Sequence, residues 1–241
     1  MIGVEILFEK LLVEVCAENG VSLTTNQRVA LTQFYNFLIE TNKKFNLTAI
    51  VEPREFILKH FIDSFMVNLK VEFGCGVKVL DVGAGAGFPS VPIAVLRPDL
   101  NITQLDCLNK RVGFLKQVAS LLNLNVEVFQ GRAEEFGKRP AFREYFNFVV
   151  ARAVAPLNRL IEYCMPFVEV GGLFIAMKGK NFEVELANAK GAAQELGGEI
   201  EEIKAFKIGL NFERVLILIR KKTQTKKKYP RLNSKIIKNP L

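Results

Sequence analysis

At 241 residues, with 49% hydrophobic and 24% charged side chains, the chain has the length of one or two globular domains and the composition of a folded protein. These proportions exclude a disordered chain, and no run approaches the ~18 continuous apolar residues of a membrane span. The net charge is +8, and nine basic residues with no acidic one lie between Arg220 and Leu241, so the rest of the chain is close to neutral.

Glu5, Glu9 and Glu14 interrupt the apolar N-terminal run, which argues against a secretory signal. Leu7, Leu11 and Val15, with Phe8 and Leu12, recur at helical spacing. Thr24 and Gln27 form a capping-box pair ahead of a helix that buries Leu31, Phe34, Tyr35 and Leu38. Pro53 suits the first turn of another helix, with Leu58, Phe61, Ile62 and Phe65 on its buried stripe and His60, Asp63 and Ser64 as neighbours on a different face. After Gly76 the texture changes. Strands are expected at 77–83, 101–107, 126–131, 146–153, 171–179, 199–207 and 213–220, with helices at 90–97, 110–123, 156–167 and 182–196 between them. This alternation predicts an α/β fold with a mostly parallel, seven-stranded sheet covered by helices on both faces. The expected organisation is a helical extension (1–72), a catalytic domain (73–220) and a basic tail (221–241).

The loop DVGAGAGFP is the sharpest motif. Asp81 closes the first strand, and Gly83, Gly85 and Gly87 follow at the carboxyl end of a parallel sheet, where ligands bind. A dinucleotide site needs GxGxxG, but Ser90 stands where the third glycine would fall, and starting from Gly83 puts Phe88 there. GxGxG after an acidic strand end instead resembles the S-adenosylmethionine loop of Rossmann-like methyltransferases. Asp106, at the end of the next strand, is placed to accept hydrogen bonds from both hydroxyls of a ribose. Cys16, Cys75, Cys107 and Cys164 form no CxxC pair, and one histidine is too few for a zinc cluster. No metal is expected, and a reducing cytoplasm is the expected location.

DVGAGAGFPSVPIA, LDCLNKRVGFL, GRAEEF and ARAVAPL together resemble the ribosomal RNA small subunit methyltransferase G family, also called glucose-inhibited division protein B. FNLTAI, HFIDSF, MKGKN, YPR and the final PL extend the likeness from about Asn42 to Leu241. The resemblance implies a class I methyltransferase that transfers a methyl group from S-adenosylmethionine to N7 of guanine(527) of 16S ribosomal RNA, leaving S-adenosylhomocysteine. It also implies that Gly83 and Phe88 line the cofactor, Asp106 holds the ribose, Ala133 and Glu134 meet the adenine end, and Arg152 completes the pocket. Ser90 and Cys107 depart from the family pattern, where glycine and serine are usual.

Guanine N7 has an in-plane lone pair, so the expected chemistry needs alignment and neither a general base nor a covalent nucleophile. Arg152, at a strand end, could face the guanine O6 edge or a phosphate, or form an ion pair with Glu134 or Asp106. Lys178 invites the same alternatives. His60 with Asp63 and Ser64 is either a structural hydrogen-bonded cluster or a face over the cleft that positions the base. The tail residues Lys226, Lys227, Lys228 and Arg231 are expected to meet the RNA backbone or to form a solvated end, with docking of Tyr229-Pro230-Arg231 on the domain as the alternative. The partner is then 16S RNA or the small ribosomal particle, the protein a monomer. Rival readings are an RNA-binding assembly protein that keeps the fold without catalysis, and a methyltransferase of the same fold with another substrate.

Overall fold

The computed structural model describes residues 2–241, with side chains from Ile6 onward. Helices α1 (Ile2–Glu18) and α2 (Thr25–Asn42) open the chain. The Thr24–Gln27 capping box is present in both directions. The buried stripe of α1 is Phe8, Leu12, Val15 and Cys16. Leu7, expected inside, is 69% exposed, because the stripe is centred one residue further on. Next come α3 (Pro53–Phe56), a π-helical turn (Ile57–Ile62) and α4 (Asp63–Lys70) in unbroken succession, started by Pro53 and by Glu52, whose carboxylate accepts from the Arg54 and Glu55 amides. This rod is wedged between helices and sheet, so His60, Asp63 and Ser64 are buried along with Phe61, Ile62 and Phe65.

The sheet follows as β1 (Lys78–Val82), β2 (Asn101–Asp106), β3 (Val126–Gln130), β4 (Phe146–Arg152), β5 (Val168–Lys178), β6 (Gly198–Ile208) and β7 (Phe212–Lys221). Their order is β3-β2-β1-β4-β5-β7-β6, parallel through β5, with β7 antiparallel to both its neighbours. The order reverses between β1 and β4, which places the ligand crevice beyond their carboxyl ends. Strand alternation sorts the core. Leu80, Val82, Phe174, Ala176, Val215 and Ile217 face one layer, and Val79, Leu173, Ile175, Met177, Leu216 and Leu218 face the other.

On the flanks lie α5 (Ser90–Leu96), α6 (Asn109–Leu121), α7 (Ala133–Phe136), α8 (Leu157–Cys164), α9 (Phe182–Ala187), α10 (Lys190–Glu195) and α11 (Asn233–Lys238). Two expected helices are shorter than the sequence pattern suggested. The first ends at Cys164 and continues as a 3-10 turn over Met165–Phe167 containing Pro166, which has no amide to donate. The second splits at Asn188 and Ala189 into α9 and α10.

Of the alternatives for the basic segment 221–241, the structure shows docking on the domain. Lys221 belongs to β7, and its buried ammonium donates to Met165 O and Thr225 Oγ1 and pairs with Glu144. Burial lowers its pKa to about 8, against the pull of Glu144. Tyr229 and Ile236 are buried in the main core.

Candidate active site

β1 delivers Asp81 beneath the glycine loop. Its carboxylate is fully buried; Oδ2 accepts from the Ser90 amide at 3.3 Å, and Oδ1 has no partner among the described residues. Burial raises its pKa to about 6, with Ser90 pulling the other way. The loop turns at Gly83, φ +74°, whose amide donates to Leu105 O at 2.8 Å. A Cβ at Gly83 would lie 2.6 Å from Val154, so the missing side chain lets the loop close against the segment after β4. At Gly87, φ +91°, the vacant Cβ position lies within 3.4 Å of Val91, Leu115 and Phe34. Gly87 therefore seats the loop on the helical layer.

A cavity of about 410 Å³ opens at the ends of β1, β2 and β3. Gly83, Asp106, Ala133 and Glu134 line it, together with Cys107, Arg111, Tyr163 and Asn233. Asp106 Oδ2 accepts from the Gly85 amide and Oδ1 from the Leu108 amide, both at 2.9 Å. Each oxygen keeps a second lone pair, so this carboxylate fits a pair of vicinal hydroxyls. Size and lining suit a nucleoside-sized ligand.

Ala153–Pro156 are shared with a second cavity of about 350 Å³, walled by Arg152, Lys178, Glu185 and Arg214. Arg152, expected to complete the cofactor pocket, does not line the first cavity, and its partner is neither Glu134 nor Asp106. Its Nη1 donates to Asp63 Oδ2 and Lys59 O, both at 3.0 Å, and its Nη2 donates to His60 Nδ1 at 3.2 Å. Asp63, 1% exposed, also takes Arg214 through Nε (2.7 Å) and Nη2 (3.0 Å). One buried carboxylate from the helical extension thus holds two arginines from β4 and β7 at the second cavity. Desolvation pulls the Arg152 pKa down, and Asp63 counters it. Lys178 donates to Ala155 O and Glu185 Oε2, each at 2.7 Å.

Phe88, expected against the cofactor, turns its ring away. It stacks on His60 at 4.4 Å between centroids and packs near Phe34 and Phe56 in the helical core. His60 itself is spoken for at both ring nitrogens, with Nε2 2.9 Å from Thr48 Oγ1 and Nδ1 accepting from Arg152. Burial, and the charge of Arg152, lower its pKa from 6.5 to about 3. A neutral histidine of this kind stabilises the fold fully above pH 6.5, and that contribution is lost as the pH falls towards 3. Between pH 6.5 and 5 the loss is about 2 kcal/mol. Asp81 works in the opposite sense, its contribution being present below 3.8 and lost as pH rises through about 6. His60→Gln is therefore expected to flatten the acid-side loss of stability in urea titrations from pH 7 to 5. An unchanged slope would mean that His60 does not carry it.

Of the tail residues, Lys226 and Lys228 pair with Glu195, and Arg231 clasps the buried Glu162 at 2.6–3.1 Å. Lys227 alone of the four has no ion-pair partner among the described residues. Neither the Asp63–Arg214 pair nor the meeting of Tyr163, Asn233 and Ile237 in the first cavity is legible in the amino-acid sequence, because no spacing rule links residues so distant in the chain.

Residues 27–216 match a family model described as GidB, rRNA small subunit methyltransferase G. The ribosomal RNA small subunit methyltransferase G of Desulforamulus reducens is 45% identical over 221 residues, covering 91% of this chain and 92% of its own. Its namesake in Thermoanaerobacter sp. (strain X514) is 43% identical over 234 residues, covering 96% and 98%. Among solved structures, the YcgJ protein of Bacillus subtilis is 15% identical with a TM-score of 0.51, covering 66% of this chain and 97% of that one. M. jannaschii TYW2, solved in complex with AdoMet, is 13% identical with a TM-score of 0.50, covering 66% and 76%. The structural likeness establishes the Rossmann-like class I methyltransferase fold. With the family model spanning most of the chain and such relatives covering nine-tenths of it, the chain belongs to the ribosomal RNA small subunit methyltransferase G family.

Proposed function

We propose that the protein methylates N7 of a guanine in 16S ribosomal RNA, guanine(527) in the ribosomal numbering, with S-adenosylmethionine as donor. The observation that carries this reading is the pair of adjoining cavities, one lined by the Asp106 carboxylate and the other by Arg152, Lys178 and Arg214, with Ala153–Pro156 shared between them. Bound in the first cavity, the cofactor supplies an electrophilic methyl group on a sulfonium. Asp106 would hold its ribose hydroxyls, and Gly83 and the Ala133–Glu134 segment would flank it. The buried Asp81 carboxylate behind the loop would favour a cationic ligand end.

The second cavity suits the acceptor. Guanine presents O6 and N7 as acceptors on one edge, and arginine is the side chain that reads that edge best. Arg152 spends part of its five donors on Asp63, Lys59 and His60, which fixes its plane and leaves donors for a base. N7 brings its own lone pair, so no residue has to take a proton, and His60, behind Arg152 and outside both cavities, is not needed as a base. The contribution of the chain is then alignment, worth several powers of ten when reacting atoms are held in line. The 16S RNA, naked or within the small particle, is the partner this reading requires.

Two results test it. S-adenosylmethionine and S-adenosylhomocysteine are expected to raise the melting temperature and NAD to leave it unchanged; stabilisation by NAD alone would overturn the cofactor. Arg152→Lys, which keeps charge but loses the planar fork, is expected to lower turnover by roughly 10²-fold with S-adenosylhomocysteine affinity unchanged. Normal turnover would remove Arg152 from the acceptor site.

A further inference from the structure

We infer that the segment beyond β7 is a wall of the cofactor cavity, and that Asn233 and Ile237 of α11 contact the nucleoside end of the S-adenosyl ligand; this rests on the cofactor reading above. Both residues line the first cavity, although Tyr163, the nearest other lining residue along the chain, lies 70 residues before Asn233. Their position is built, not incidental. Arg231, two residues before Asn233, binds Glu162 of α8 through its backbone amide, Nε and Nη2, and Glu162 is fully buried. The Tyr163 hydroxyl, beside Glu162, donates to Asn233 Oδ1 at 2.5 Å. Arg159, one turn earlier on α8, donates to Ile237 O at 2.9 Å. Further back, Arg143 gathers the carbonyls of Gly137, Thr225, Lys226 and Tyr229, and the Tyr229 hydroxyl donates to Glu195.

These anchors explain why the basic residues of the segment are mostly paired within the chain. Arg231 is its fastening to the buried Glu162, while Lys226 and Lys228 pair with Glu195 at the surface. The side of the cavity that α11 covers also follows. Asp106 ends β2; Gly83 follows β1 on the inner side, towards the acceptor pocket, and Gly131–Glu134 follow the edge strand β3 on the outer side. A ligand whose ribose sits on Asp106 must send its reactive end inward and its base outward. The segment is docked outward, since a Cβ at Gly137, just past α7, would lie 3.2 Å from Pro230. With Oδ1 engaged by Tyr163, the Asn233 amide group has no acceptor among the described residues and can donate to a ring nitrogen of the base. Ile237, 45% exposed without ligand, supplies an apolar contact for its face.

The test uses the full chain carrying Asn233→Ala and Ile237→Ala, titrated calorimetrically with S-adenosylhomocysteine and with 5′-methylthioadenosine, which lacks the amino-acid end. Neither side chain is part of the core, so the ligand-free protein should lose only the Tyr163–Asn233 hydrogen bond, a drop in melting temperature far smaller than that of a truncation that removes Tyr229 and Ile236, and Ile237→Ala alone should leave its melting temperature unchanged. The expected result is a loss of about tenfold in affinity, the same for both ligands. Unchanged affinities overturn the proposal, and so does a loss confined to S-adenosylhomocysteine, which would put α11 at the amino-acid end. Asp106→Ala is the control: if it binds both ligands as tightly as wild type, the cofactor reading has failed, whereas weakened binding there with normal binding in the double variant refutes the α11 contact alone.

Discussion

Asp63→Ala is expected to lower stability by about 3 kcal/mol and the melting temperature by about 6–12 °C. The carboxylate is buried and takes three hydrogen bonds from Arg152 and Arg214. Removing it leaves two guanidinium groups facing each other with nothing between them, the costly case of a broken buried pair. Arg152 and Arg214 are 13% and 12% exposed at their side chains, and both line the second cavity and can turn towards solvent, which places the effect at the lower end of the usual range. Turnover should fall further than stability, because the plane of Arg152 is set by this carboxylate. Asp63→Ala combined with Arg214→Ala should recover part of the stability, since only one uncompensated cation then remains. Urea denaturation of the three proteins measures both terms. A single variant within about 0.5 kcal/mol of wild type would show that the clamp is not a structural element.

Asp106→Ala should weaken S-adenosylhomocysteine binding by about a hundredfold or more. Hydrogen bonds to a charged acceptor contribute about 1.5–3 kcal/mol each, and a ribose offers two hydroxyls. The same substitution frees the Gly85 and Leu108 amides, so the loop itself loses its hold on the end of β2. Asp106→Asn separates the effects: it keeps one acceptor and the approximate shape but lacks the charge, and should fall between wild type and alanine. Titration calorimetry at neutral pH reads all three. Equal affinities would mean that the ligand bypasses the end of β2.

Much of the fold is legible in the amino-acid sequence because each strand carries its own local signal. In β5 and β7 every residue from Leu173 to Met177 and from Val215 to Ile219 is apolar and faces one core layer or the other, so a continuous apolar run marks a strand covered on both sides. The glycine loop and Asp106 were readable for a similar reason: their roles depend on local backbone geometry and on one strand-to-strand spacing. What escaped the sequence was long-range. Asp63, Arg152 and Arg214 meet only after the helical extension has docked on the sheet, and nothing in their spacing announces it. Phe88 follows the glycine loop immediately, and only its place in the motif points to the cofactor; its ring is taken up by the aromatic cluster around Phe34 and His60. The tail was misleading in the same way. Composition counts nine cations, but not that Glu144, Glu162 and Glu195 lie across from four of them.

The central claim, transfer of a methyl group to N7 of one guanine, has a direct chemical test. Small ribosomal particles from cells lacking the protein would be incubated with it and with methyl-labelled S-adenosylmethionine, and the 16S RNA then treated with borohydride and aniline, which cut the chain at 7-methylguanosine. The account predicts about one labelled methyl per particle and a single new cleavage at one guanine, both abolished when Asp106 is replaced by alanine. Label that enters the RNA without creating a cleavage site, or that enters a protein instead, would contradict it.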